Sequence, residues 1–147
     1  MIRTQNRIRL CTAWLMVNLA VIWGNSLLPG QLSGAFSDWV KELIQLLIPG
    51  SFSDGGVGGG FLIRKLGHFT EFCTLGMCLC WLHGMLEKMQ RRSLLLGFLA
   101  ACADETIQRF VPGRNPSLMD VAIDTAGVLA GIGLLLIGQH IIQKRNN

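Results

Sequence analysis

Charge is scarce in this chain of 147 residues: Asp, Glu, Lys and Arg make up 15% of it, while half is apolar and the mean hydropathy is positive. That leaves too little polar surface for a soluble domain of this size, and fits a small polytopic membrane protein built as one domain over 1–147. Tyrosine is absent altogether. CxxC pairs, HExxH and paired-histidine spacings are also missing, which leaves little signal for a zinc site. The cysteines Cys11, Cys73, Cys78, Cys80 and Cys102 are odd in number and sit inside apolar segments, as small buried hydrophobes do. They spell no disulfide framework. Nor is there a basic stripe interleaved with aromatics, so no nucleic-acid partner is expected.

What the chain does have is long apolar runs. Residues 10–28 carry no charge and follow Arg3, Arg7 and Arg9, enough to cross a bilayer. The run is longer than a signal-peptide core and no small-x-small site closes it, so it reads as a retained helix. Residues 66–86, 93–111 and 121–142 are three further spans. "EKMQRR" and "PGRNPS" join the last three, short enough for antiparallel neighbours. The expected fold is therefore all-α, a polytopic bundle of four transmembrane helices.

Between the first two spans, Phe36, Trp39, Val40, Leu43 and Leu47 recur with a helical period, opposite Asp38, Lys41, Glu42 and Gln45. At 35–48 this helix is too short to cross and is expected to lie flat in the interface. Pro49 and Gly50 end it, and "SFSDGGVGGG" reads as a tether. The helix is a spacer or a lid; both readings stand at this point.

Lys and Arg positions set orientation. With the N-terminus inside, Arg3, Arg7, Arg9, Lys88, Arg91, Arg92, Lys144 and Arg145 are cytoplasmic, and Lys41, Arg64, Lys65, Arg109 and Arg114 are outside, eight against five of the chain's thirteen. Both termini are then cytoplasmic. In this topology Lys65, His68 and Glu71, then Asp104, Glu105 and Gln108, then Asp120 and Asp124 all fall at the outer ends of their spans, as do Asn25 and Ser26.

Spacing aims them inward. Gly97, Ala101, Asp104 and Gln108 share one stripe, and Asp120, Asp124, Gly127 and Gly131 another. Gly127 and Gly131 form a GxxxG that lets backbones approach. A charge in mid-membrane costs roughly 2.5–3.5 kcal/mol. The cluster must therefore pair largely within itself, Glu71, Asp104, Glu105, Asp120 and Asp124 against Arg64, Lys65, Arg109 and Arg114.

The residues "RKLGHFTEF", "DETIQRFVPGRNPS" and "SLMDVAIDTAGVLAG", with "NSLLPG" after the first span, resemble the VanZ-like family of bacterial integral membrane proteins. The resemblance covers all four spans in order. It implies a role in the cell envelope of the bacterial cytoplasmic (inner) membrane, with a link to glycopeptide-antibiotic resistance. It carries over Lys65, His68, Asp104, Glu105, Gln108, Arg114 and Asp120 as the residues of interest. Phe72 stands where many relatives have Tyr, so a scheme needing a phenol hydroxyl there fails for this chain.

Each residue has a plain reading beside the functional one. Ser117 and Asp120 fit a capping box, so Asp120 is a cap or a site residue. Asp124, a turn deeper, needs a partner in Arg114, Lys65 or His68. His68 is a general acid or base or a hydrogen-bonded bundle histidine. Glu71 orients it or pairs with Lys65. Asp104 and Glu105 are adjacent and point about a hundred degrees apart, so one faces the cavity and the other engages Arg109 or Arg64. Arg114 clamps a phosphate or carboxylate, or is tied to Asp104 or Asp120. His83 and His140 read as interfacial. His68 with carboxylates offers a metal site only weakly, without HExxH or paired histidines, so no cofactor and no metal are assigned.

Two functions follow. One is binding, with Lys65, Gln108, Arg114, Asp120 and Asp124 holding a lipid-linked or phosphorylated envelope component among the membrane lipids. The other is a small intramembrane hydrolase or transferase with His68, Glu71, Asp104 and Glu105 as candidate catalytic groups. No nucleophile sits beside a base, so water would attack, which favours binding. Oligomeric state leaves no mark in the sequence.

Overall fold

The computed structural model describes residues 2–51, 59–85 and 90–146, and among these every regular element is helical. Five helices follow in order: α1 (Ile2–Ser26), α2 (Gly30–Leu47), α3 (Gly59–Met85), α4 (Gln90–Gln108) and α5 (Leu118–Asn146). Most of the tether expected within 51–60 and the first half of the joint within 87–92 lie outside the described residues.

Helix α3 is the axis of the bundle and packs on each of the other four, most extensively on α5. Glycine makes that contact close. A Cβ on Gly131 would overlap the Cys73 carbonyl oxygen, one on Gly76 would overlap that of Val128, and one on Gly127 would stand 2.6 Å from the Phe69 carbonyl. The two helices meet main chain to main chain, as the GxxxG spacing predicts. Ile22, Phe72, Leu75, Leu79, Ala100, Ala101 and Val128 fill the core from α1, α3, α4 and α5. Phe72, fully buried, packs there as plain hydrocarbon.

The outside of the bundle is apolar. Trp14, Val17 and Val21 on α1, Leu95 and Leu99 on α4, and Leu134, Ile137 and Ile141 on α5 are all exposed. A contiguous greasy surface of this kind requires lipid or a partner around it. Helices α1 and α5 are long and apolar enough to cross a membrane, over Thr4–Ser26 and Leu118–Arg145. Helices α3 and α4, expected as spans, do not meet the same measure. Arg64, Lys65, His68 and Glu71 polarise the first half of α3, and α4 carries Arg91 and Arg92 at one end and Asp104 and Glu105 at the other.

Helix α2 begins at Gly30, five residues before the expected 35. Pro29 precedes it with φ −50°; a proline is tolerated where no helical N–H is required. Its first turn is tied down, since the Gly30 N–H donates to the Pro112 carbonyl at 3.0 Å. A Cβ on Gly30 would collide with the Gly113 carbonyl, and Gly113 itself holds φ +72°, a left-handed conformation natural to glycine. The Pro112–Gly113 turn is thereby stitched to the α1–α2 corner. From there α2 runs back along the first turns of α3, with Ser37 buried and Phe36, Trp39, Leu43 and Leu47 facing outward. The predicted apolar face is present and largely exposed, with Val40 half-buried.

Candidate functional site

The strongly polar side chains gather where α1 ends, α3 begins, α4 ends and α5 begins. Asp104 and Asp124 are 0% and 1% exposed, and Glu105, Gln108 and Arg114 are buried too. The two predicted stripes face inward: Gly97, Ala101, Asp104 and Gln108 on α4, and Asp124, Gly127 and Gly131 on α5, are all buried.

Asp104 is held most firmly. Ser26 Oγ donates to its Oδ1 at 2.6 Å, and Gln108 Nε2 donates to its Oδ2 at 2.8 Å and to Ser26 Oγ at 3.3 Å. His68 Nδ1 stands 3.8 Å from the same Oδ2, close enough for charge to act but beyond a hydrogen bond. Asp124 reaches into this group from α5: His68, Asp104 and Asp124 each offer one ligand-capable atom within 4.8 Å of the others. Of the three partners expected for Asp124, none bonds to it; His68 lies within this distance and the charge of Lys65 acts on it from further off.

Several pairings differ from those read in the sequence. Glu105 engages neither Arg109 nor Arg64; its Oε2 accepts from the Ser117 N–H at 2.9 Å, and Arg109 is exposed. Glu105 thus fills the place that Asp120 would take in a reciprocal capping box. Ser117 still caps α5, its Oγ accepting from the Met119 N–H at 3.1 Å. Asp120 is freed and pairs with Lys65, whose Nζ also lies 5.0 Å from the Phe61 ring centroid. Glu71 pairs with Asn25, accepting from its Nδ2, rather than with Lys65 or His68.

Arg114 contacts neither Asp104 nor Asp120 by hydrogen bond. Its Nε donates to the Leu28 carbonyl at 3.0 Å and its Nη2 to the Asn25 carbonyl at 2.6 Å. These are carbonyls at the C-terminal end of α1, where a cation is favourable. The third nitrogen, Nη1, is buried with no acceptor in the protein. Burial holds this guanidinium below its ordinary pKa, Arg64 adds to the effect, and Asp104 and Glu105 oppose it; arginine stays charged regardless.

Beside Arg114 is a cavity of about 230 Å³, walled by Asn25, Arg64, His68, Glu71 and Arg114 and roofed by Ser33, Phe36, Ser37 and Val40 of α2. Helix α2 lies over the polar cluster, the position a lid would occupy. Ser26 is the residue that spacing alone undervalued. Its signal was the "NSLLPG" turn, which places a hydroxyl at the helix end nearest the acids.

A family model described as VanZ/LLP1 matches residues 10–139, nearly the whole chain. The chain belongs to that family. The VanZ/LLP1 match takes in every site residue above, from Asn25 to Asp124, and with the two apolar helices it points to a membrane protein. Neither a curated protein nor a solved structure matches the chain.

Proposed function

We propose that this VanZ/LLP1 protein crosses the bacterial cytoplasmic membrane four times with both termini in the cytoplasm. In this reading the charged end of the bundle faces outward and binds an anionic, phosphorylated headgroup of a lipid-linked envelope component. The observation that carries the reading is Arg114 Nη1, a buried donor with no acceptor beside a cavity that Arg64 shares. An unmet guanidinium N–H is expensive to bury, and phosphate oxygens suit its planar fork. The cavity is small, fitting a headgroup rather than a whole lipid. A separate apolar groove of about 350 Å³, lined by Leu15, Leu19, Leu75, Leu79, Leu96 and Ala100, suits a hydrocarbon chain. Altered glycopeptide susceptibility would follow if the bound headgroup belongs to cell-wall synthesis.

A hydrolase reading has one observation in its favour, His68 Nδ1 at 3.8 Å from a carboxylate that Ser26 and Gln108 hold in place. Such a pair is arranged like a base and its orienting group. One experiment addresses both readings. The full chain in lipid nanodiscs is titrated with inorganic pyrophosphate and with a polyprenyl pyrophosphate, and released phosphate is assayed in parallel. Saturable binding that Arg114→Ala weakens about tenfold or more, without phosphate release, is the expected result. Turnover that His68→Asn removes would replace binding by catalysis, and absence of both sinks the proposal.

A further inference from the structure

Helix α3 supplies an imidazole, His68, to a point where α4 and α5 supply the carboxylates Asp104 and Asp124, with ligand-capable atoms mutually within 4.8 Å. Both carboxylates are essentially without solvent contact. Two neighbouring carboxylates so placed lose hydration and repel one another, so a bound proton or a positive charge must offset them. The nearby cations make their contacts elsewhere, Arg64 over the Phe61 ring among them. Lys65 pairs with Asp120, and Arg114 donates to main-chain carbonyls. Among the described residues no basic side chain forms a salt bridge with Asp124, and its Oδ2 has no hydrogen-bond partner. His68 Nδ1 also lacks one.

We propose that His68, Asp104 and Asp124 hold a divalent first-row metal ion, of the manganese or zinc class. Two carboxylates match the charge of such an ion. An imidazole beside two carboxylates favours Mn²⁺ or Zn²⁺ over the all-oxygen environments that Mg²⁺ and Ca²⁺ prefer. Metal–ligand bonds of about 2.1 Å place ligand atoms on opposite sides of an ion about 4.2 Å apart, so a trio whose atoms lie within 4.8 Å of one another needs only a small closure to hold one. The carboxylate that needs positioning has it, since Ser26 and Gln108 bond Asp104 from outside the trio as outer-shell partners of metal ligands do. Three protein ligands leave coordination positions open, and His68 forms part of the cavity wall. The ion therefore borders the space shared by Arg64 and Arg114. No local motif announces such a site, because each helix contributes a single ligand.

The test uses the untagged full chain in detergent, stripped with a chelator and titrated separately with Mn²⁺ and Zn²⁺, with no lipid phosphate added. Its failure therefore leaves the headgroup reading standing, and the reverse holds too. Wild-type protein should take up about one ion per chain, and pulsed EPR of bound Mn²⁺ should show an imidazole nitrogen coupling that disappears in His68→Asn. Asp124→Asn should weaken binding by about tenfold or more, while His140→Ala, at an exposed histidine near the chain's end, should leave it unchanged. Equal loss in Asp124→Asn and His140→Ala, or no stoichiometric uptake by the wild type, overturns the proposal. Melting of the chelated proteins separates ligation from folding. Asp124→Asn replaces a buried acid that has no basic partner with a neutral side chain of nearly the same shape, so it should melt at or above the wild-type temperature. A clearly lower temperature would make Asp124 the ion-pair partner of a charged His68, and the site would fall.

Discussion

Where α3 ends and α4 begins, His83 and Ser93 are buried and bonded to one another at 2.6 Å. At the opposite end, His68 Nδ1, Glu105 Oε1, Arg114 Nη1 and Asp124 Oδ2 are buried with no partner. Among the described residues, α3 and α4 thus pair His83 with Ser93 at one end and leave His68 Nδ1 and Glu105 Oε1 open at the other. Buried polar atoms are nearly always satisfied; Asn18 Oδ1 and Trp23 Nε1 along α1 are unmet too, but four exceptions gathered at one end mark the place where something outside the chain is to be met. The closed end shows that this fold is capable of pairing its polar groups where nothing else is asked of them. It also revises the reading of His83 as an interfacial residue: it belongs to the interior.

The comparison is broken most severely by attacking the contact that both ends share. Gly131→Val forces side-chain atoms into the Cys73 main chain. It should destabilise the bundle by about 3 kcal/mol or more, seen as loss of folded protein in detergent and loss of every property of either end. Arg114→Ala tests the open end alone. Pyrophosphate binding should weaken about tenfold or more, with a smaller fall in melting temperature from the α1 carbonyls left uncapped. If binding is unchanged, the unmet Nη1 does not mark a ligand. His83→Ala tests the closed end: it orphans Ser93 and should lower stability by about 1–2 kcal/mol, with pyrophosphate binding intact. Were that variant to abolish binding, the two ends could not be treated as separate. Arg109→Ala, at an exposed position, should change stability by no more than about 0.5 kcal/mol, although sequence reasoning gave it a carboxylate partner.

That last case shows where the sequence stops being legible. Helical spacing carried the burial of Asp104, Gln108, Asp124 and the α5 glycines, because period and depth alone decide which residues share a face. Pair identities did not follow. Glu105 meets a main-chain N–H at Ser117 and Arg114 meets main-chain carbonyls, and backbone groups carry no letter in a sequence. Ser26 finds Asp104 across 78 positions, through a helix packing that local pattern cannot register. The start of α2 was missed for a related reason. Pro29 and Gly30 look like breakers, yet the Pro112 carbonyl and the room at Gly113 make them the first turn of a helix. How often the chain crosses the bilayer divides in the same way, since α1 and α5 each hold an apolar window long enough to span, while charges at both ends of α4 and in the first half of α3 interrupt theirs.

The glycine seam between α3 and α5 has one more effect. Flexible side chains between two helices act as a cushion that lets one slide against the other, and this interface has none at Gly76, Gly127 and Gly131. Asp124, less than one turn from Gly127, and His68, next to Phe69 whose carbonyl faces that glycine, inherit their separation from rigid main chain. Drift in the oily exterior over generations would leave that gauge unaltered, whereas a single methyl group added along the seam would reset it.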